Sequence, residues 1–294
     1  MNNRHSEDMV LQTVMSCALA ITALAVTTLL YQLITVAVPV FESMLFPRLA
    51  AQGAGKTLVA VIAHSDDETA AAPILARYAR EGVQVYLLVA TDGAEGGTHT
   101  TIPLGPELAR ARAEEARCAA DALGAQPPIL LGFPDGKLGD YIGDRSLLYR
   151  LTDRIAGELQ RLRPDAVVTW GPDGGTGHPD HRLVSSIATQ LARAGAPGVP
   201  DRLFYMSLPA EGMRAMNPQR GAPPLLIPEA KYFTVRVPFT QRDFDAAQRA
   251  LACHRTQFTE EQVKRMGPFA AQTWNGEIRL IPAFPTGTST DVFR

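Results

Sequence analysis

The sequence predicts an α/β protein: a Rossmann-like, open and mostly parallel sheet with helices on both faces, preceded by an N-terminal hydrophobic helix. Three observations carry this. From Thr57 onward, short continuous apolar runs alternate with amphipathic stretches, the pattern of strands buried on both faces between crossover helices. Gly124 and Pro164 stop two of the helical stretches where a βα chain must turn. An uncharged apolar run, Met9 to Phe41, stands ahead of all this and differs from it in kind.

Each element can be placed in order. Leu58 to Ile62 reads as the first strand, and Glu68 to Arg80, rich in alanine, as the first helix of the sheet. Val83 to Ala90 is a second strand, followed by a long Ala/Arg/Glu helix over Pro106 to Leu123. Pro128 to Phe133 is a third strand, Arg145 to Leu162 a helix, and Asp165 to Trp170 a fourth strand. A helix over Asp180 to Ala194 and a fifth strand over Leu203 to Ser207 complete the regular alternation. The proline-rich stretch 209–230 reads as a long loop. Lys231 to Val237 alternates like an edge strand, Phe239 to His254 and a segment near Glu260 read as helices, and Ile278 to Ile281 as a last strand.

The N-terminal run divides the chain into an anchor or signal segment at 1–41, a linker at 42–56 and a catalytic domain at 57–294. A helix over Met9 to Phe41 would be about 50 Å long, beyond the ~30 Å hydrocarbon core of a bilayer. The flank before it is not basic, since Glu7 and Asp8 offset Arg4, which favours a retained anchor over a cleaved secretion signal. The expectation is therefore a chain held at a membrane by this segment, with export after signal cleavage as the alternative. The rest of the composition is bland. With 28 basic and 30 acidic residues, the net charge is −2 and no block of like charge offers a footprint for nucleic acid. Only Cys17, Cys118 and Cys253 are present. Cys17 lies in the apolar run, which leaves only Cys118 and Cys253 as a possible pair, so a disulfide framework is not expected; without a CxxC neither is a thiolate zinc site, and Cys118 and Cys253 read as small core residues.

Two dense motifs carry the chemistry: Ala63-His64-Ser65-Asp66-Asp67-Glu68 after the first strand and Gly177-His178-Pro179-Asp180-His181 after the fourth. In a doubly wound sheet, both fall beyond the carboxyl ends of strands, where ligands bind. Three of the six histidines lie here. Imidazole and carboxylate are ligands of a hydrolytic metal that keeps an open position for water, two histidines and one carboxylate being a natural set. A remaining carboxylate can then take the proton of the attacking water. The structural alternative is that Asp66, Asp67, Glu68 and Asp180 merely cap helices. Trp170 and Trp274 are core aromatics or stacking platforms for a sugar, the first reading as core. His99 reads as an exposed loop residue, and Arg112 can meet a substrate or pair with Glu115 on its own helix.

These motifs resemble the N-acetylglucosaminylphosphatidylinositol de-N-acetylase family, also called LmbE-like. The resemblance extends through Thr91-Asp92-Gly93 with Gly96-Gly97, through Arg112, Glu115, Ala119 and Leu123-Gly124, through Asp135-Gly136, and to His254 and Gln257. It covers about residues 57 to 260 and implies a zinc-dependent hydrolase that removes acetyl groups from amino sugars or their conjugates. Carried over position by position, it implies that His64, Asp67 and His181 hold one Zn2+ or another divalent transition metal. It makes Asp66 the general base and His178 the group that stabilises the oxyanion or protonates the departing amine, oriented by Asp180. Glu95, Arg112, Asp180, His254 and Gln257 are candidate substrate or supporting residues. Ser65 departs from the family's usual proline. Other metal-assisted amide or ester hydrolysis on the same scaffold, or a non-catalytic module binding sugars or lipid head groups, are the alternatives, and Asp66 argues against the last.

Overall fold

A computed structural model describes Thr27, residues 54–207 and residues 228–294. The described chain from residue 54 builds seven strands: β1 (Thr57–Ile62), β2 (Gln84–Thr91), β3 (Ile129–Phe133), β4 (Ala166–Trp170), β5 (Leu203–Met206), β6 (Val235–Pro238) and β7 (Glu277–Pro282). Six helices accompany them: α1 (Ala72–Arg80), α2 (Pro106–Leu123), α3 (Arg145–Leu162), α4 (Pro179–Arg193), α5 (Gln241–Leu251) and α6 (Glu260–Trp274). The sheet order is β3-β2-β1-β4-β5-β7-β6. Strands β3 to β5 pair in parallel, while β7 runs antiparallel to both β5 and β6.

The burial follows from the alternation of the strands. Leu58, Ala60 and Ile62 of β1 face a layer that includes Leu75, Ala119, Leu123 and Ala250, from α1, α2 and α5. Val59 and Val61 face the other layer, with Leu151, Ile155, Val184 and Ile187 of α3 and α4. Every one of these residues is buried, so β1 has no solvated face, which is why its sequence is apolar without alternation. The strand order reverses between β1 and β4, so the loops that leave their carboxyl ends open a crevice there.

The predicted elements fall where expected to within a few residues, with one break. The first helix is divided into a 3-10 turn at Asp67–Ala70 and α1. Asp67 folds its carboxylate back onto the backbone N–H groups of Ala63 and His64, at 2.9 and 3.0 Å, which tightens the chain ahead of the helix. Pro73 then sits in the first turn of α1, where no N–H is needed.

Two expectations are corrected. The membrane anchor, and the membrane localisation and partnership drawn from it, do not stand: among the described residues no helix is long and apolar enough to cross a membrane. Apart from Thr27, the run from Met9 to Phe41 lies outside the described residues, as does most of the loop at 209–230. The cysteines also behave differently. Cys118 of α2 and Cys253, just beyond α5, form a disulfide with their Cα atoms 5.7 Å apart. Their separation of 135 residues hid the pairing in the sequence, and only the packing of α2 against α5 brings them together.

A bridge that closes so long a loop restrains the unfolded chain, a contribution of typically about 2–4 kcal/mol. Cys118→Ser with Cys253→Ser should therefore lower Tm by several degrees, and reductant should lower wild-type Tm by a similar amount. An unchanged Tm in both cases would show that the staple adds nothing to stability.

A candidate metal centre at the switch point

The crevice beyond β1 and β4 collects the two motifs. His64 and Asp67 arrive on the loop after β1, and His181 sits in the first turn of α4. His64 Nδ1 and His181 Nε2 lie 2.9 Å apart, and Asp67 Oδ1 lies 3.0 Å from His181 Nε2. The outer ring nitrogens are both engaged. His181 Nδ1 donates to the carbonyl of Gly174 at 2.9 Å. His64 Nε2 faces Asp135 Oδ1 at 3.0 Å and Asp180 Oδ2 at 3.3 Å. With both outer nitrogens donating, the inner nitrogens present lone pairs to each other, an arrangement that needs a cation between them. This is how metal-binding imidazoles are held by their surroundings, so the residues present fit a divalent metal.

Charge in the metal-free cluster tells the same story. Burial pushes the His64 imidazole down, but Asp135, Asp180 and Asp67 more than reverse it and carry it up to about 10. Burial pushes Asp67 up, yet His181 and His64 hold it well below the usual carboxylate range. The cluster thus retains positive charge between its imidazoles, in the form of a proton when no metal is bound.

Asp66 occupies a different position. Its φ is +136°, a conformation rare for a residue with a Cβ, and its side chain makes no capping bond to the following turn. Capping therefore does not explain it. Its backbone N–H donates to Glu68 Oε2 at 3.0 Å, and Glu68 Oε1 lies 2.6 Å from His254 Nε2. His254 is fully buried and Glu68 nearly so, and neither lines the crevice. Arg112, also buried, donates to the Ser65 carbonyl at 2.6 Å and to Asp66 Oδ1 at 3.2 Å. Burial raises the Asp66 carboxyl, Arg112 opposes this, and the charge of Asp67 adds to it, leaving it at about 6.

His178 is the N-cap of α4, and its Nδ1 accepts the backbone N–H of Asp180 at 3.2 Å. The proton is therefore on Nε2. Its ring centroid lies 4.8 Å from that of His64 and 5.0 Å from that of His181. Burial and the neighbouring imidazoles lower its pKa, so the ring is neutral at pH 7. The expected pairing of Asp180 with His178 is only through the backbone. The Asp180 carboxylate is turned to His64 and to the N–H groups of Gly136 and Leu138, at 2.8 and 3.0 Å.

The remaining candidates separate clearly. Glu95, Arg112 and Gln257 line the crevice, while His254 lies behind it. Arg112 pairs with Asp66 rather than with Glu115, whose carboxylate accepts from Thr256 N–H and Oγ1 at 2.8 and 2.7 Å. Gln257 donates to the Gly96 carbonyl. A Cβ at Gly96 would collide with Arg112 Nη1, so this loop needs glycine to cross the guanidinium. Asp135 and Glu68 were not singled out as site residues. Asp135-Gly136 is a turn after β3, and only the sheet order places it against His64. Trp170 is buried, yet it stacks on His181 with ring planes 4° apart and lines the crevice. His99 is an exposed loop residue, as expected.

Fold and cluster together define a class: an α/β protein of Rossmann type with a buried histidine–carboxylate site suited to a hydrolytic metal. The chain belongs to the GlcNAc-PI de-N-acetylase (PIG-L) family, whose model matches residues 59–192. It is 30% identical over 243 residues to the 1D-myo-inositol 2-acetamido-2-deoxy-alpha-D-glucopyranoside deacetylase of Rhodococcus jostii (strain RHA1), a match covering 69% of this chain and 82% of that one. Its fold is similar to that of N,N'-diacetylchitobiose deacetylase from Pyrococcus horikoshii, at a TM-score of 0.54 and 20% identity, covering 78% of this chain and 84% of the other. It is equally similar to GalB, the 4-carboxy-2-hydroxymuconate hydratase of Pseudomonas putida KT2440, at a TM-score of 0.54 and 19% identity, covering 79% and 98%. The fold alone therefore does not fix the reaction.

The hold of Glu68 and His254 on Asp66 can be tested directly. Glu68→Ala should leave any bound metal in place but cost on the order of 10²-fold in turnover, the effect of displacing a reacting group by about 1 Å. Metal content measured alongside kcat checks this, and loss of metal in step with activity would assign Glu68 to the metal site itself.

Proposed function

We propose that the protein is a zinc-dependent hydrolase that removes the acetyl group from an N-acetylated amino sugar or sugar conjugate. The observation that carries the proposal is the pair of imidazole nitrogens 2.9 Å apart, with both outer nitrogens engaged and two adjacent carboxylates in different environments beside them. His64, Asp67 and His181 would hold the metal. When bound, a divalent cation polarises an amide carbonyl and acidifies a water molecule.

The protein groups account for the proton transfers. Asp66 is outside the proposed ligand set and raised toward neutrality, which suits a carboxylate that accepts the proton of the attacking water. Nε2 of His178 is the donor, so it can hydrogen-bond to the oxygen on which negative charge develops. An amine leaves poorly as an anion, so the proton taken by Asp66 must reach the nitrogen as the C–N bond breaks, directly or relayed through the neutral His178 ring. Glu95 and Gln257 line the crevice, and in this reading they contact sugar hydroxyls. The named activity of the Rhodococcus jostii relative supports the same substrate class.

Release of acetate from a panel of N-acetyl sugars, with and without chelator, tests the reading. Activity should vanish with chelator and return with zinc. Lack of turnover on every acetamido sugar by metal-loaded protein would overturn it. Asp66→Asn should keep the metal and lose about 10²–10⁴-fold in turnover, whereas His64→Ala and Asp67→Asn should fail to retain metal. The reverse outcome at Asp66 and Asp67 would invert their roles. His178→Ala should retain metal and impair an amide far more than an ester with a good leaving group, as matched kcat values would show. Equal losses on both substrates together with loss of metal would make His178 a structural support instead.

A further inference from the structure

The crevice that holds the histidine cluster is larger and more apolar than a monosaccharide requires. It encloses about 500 Å³, within the ~300–1,000 Å³ range of sites that engulf drug-sized ligands. Its inner end is polar, with the histidine cluster, Asp66, Asp135 and Arg112. Its other wall is formed by Leu251, Phe258, Met266, Phe269, Ala270 and Trp274, from the end of α5, the turn that follows, and α6. This wall is built rather than accidental. Trp274 is fixed by edge contacts with Phe239 and Phe244, at ring-centroid distances of 6.3 and 6.2 Å. Phe269 remains 39% exposed, a large apolar side chain left at the opening. Single exposed apolar side chains are ordinary, but a mostly apolar wall, interrupted by Gln248 and Thr273, that shares one cavity with a polar reaction centre is a recognition surface.

We infer that the substrate carries an apolar aglycone, an alkyl or aryl group joined to the acetamido sugar, and that this wall binds it. The inference rests on the deacetylase reading above. Helix α6 packs chiefly on α5 and β7 rather than on the loops that present His64 and His181, while the end of α5 packs against the turn at Asp67–Ala70, so the α6 part of the wall lies to the side of the cluster and Leu251 bridges the two. The acetyl methyl group is one bond from the reacting carbonyl, whereas the amine half extends away from it across the sugar ring, so α6 is assigned to the amine half. An inositol aglycone, hydroxylated on every carbon but the one in the glycosidic link, would set most of its polar groups against Phe269, Met266 and Trp274 with only Gln248 and Thr273 as side-chain partners there, which costs binding. An alkyl or aryl group there instead removes apolar surface from water on both sides.

The test uses the full-length, zinc-loaded protein and the methyl, butyl and octyl β-glycosides of N-acetylglucosamine. kcat/KM for deacetylation should rise at least 10-fold from methyl to octyl, chiefly through KM. Phe269→Ser and Met266→Ser, at part-exposed positions outside the catalytic cluster, should remove most of that gain while leaving the methyl glycoside unchanged. Calorimetric binding of the same glycosides reads the wall independently of turnover, and the octyl compound should bind at least 10-fold more tightly than the methyl compound and lose that advantage in the variants. Turnover of the methyl glycoside with flat kcat/KM and flat affinity along the series would overturn the inference while sparing the deacetylase reading. A gain along the series that Phe269→Ser and Met266→Ser leave intact would also overturn it, by placing the alkyl group elsewhere. Faster release of a long N-acyl chain than of acetate from plain glucosamine would overturn it too, by assigning the wall to the acyl half. Tighter octyl binding without turnover of any acetamido sugar would uphold the wall and sink the deacetylase reading.

Discussion

Two imidazoles facing each other nitrogen to nitrogen are the constraint around which the rest of the site is arranged. Left alone, two lone pairs 2.9 Å apart repel. They stay because the outer nitrogen of each ring is tied to an acceptor that the fold supplies from elsewhere. Gly174 lies in the loop after β4, Asp135 in the turn after β3, and Asp180 in the first turn of α4. Asp180 in turn is fixed by two backbone N–H groups of the loop after β3. Three loops at the carboxyl ends of the strands, those after β1, β3 and β4, thus converge on one point, and the parallel order of β3, β2, β1 and β4 is what lets them do so.

A second layer of constraint reaches across the chain. Asp66 sits at a φ that costs energy, and the surroundings must over-determine it. Glu68 does this on one side by accepting the Asp66 N–H, and Arg112 on the other by holding the Ser65 carbonyl and the Asp66 carboxylate. Glu68 is held by His254, which follows Cys253 directly, and Cys253 is bonded to Cys118 on the same helix as Arg112. The local strain at Asp66 is therefore carried by a buried network joining the first loop of the domain to its C-terminal third. Such strain at a reacting group is a way of holding it ready in one orientation.

Much of this was legible in the sequence, for physical reasons. Strands buried on both faces must be continuously apolar, so β1, β2 and β4 declared themselves. The spacing of His64, Asp67, His178 and His181 relative to strand ends placed them in one crevice. What stayed hidden depends on tertiary contact. Asp135 reads as an ordinary turn residue until β3 is placed beside β2. Glu68 reads as one more acidic residue at a helix start until His254 arrives from 186 residues away. Cys118 and Cys253 looked like isolated core residues because nothing local signals the packing of α2 on α5. Residues 9–41 misled in the other direction: length and hydropathy were read as a membrane span, and no helix among the described residues sustains it.

The division of labour within the chain follows from where these constraints fall. The family match ends at residue 192, after the last turn that contributes to the histidine cluster. The groups that tie the loops after β1, β3 and β4 to one another lie before that point, apart from the His254 strut. The segment beyond it, α5 and α6 with β6 and β7, packs against the open side of the crevice and supplies its apolar wall. Helix α5 is anchored by its packing on α1 and α2, by the Arg80–Asp243 and Glu68–His254 ion pairs and by the disulfide, whereas α6 packs chiefly on α5 and β7, so its inward face can vary without disturbing the reacting groups. A wall attached in this way can change the amine it accepts while the chemistry of the acetamide stays fixed. The same fold carries proteins named for substrates as unlike as a chitobiose and an inositol glycoside, so the part that differs must lie outside the cluster that holds the reacting groups.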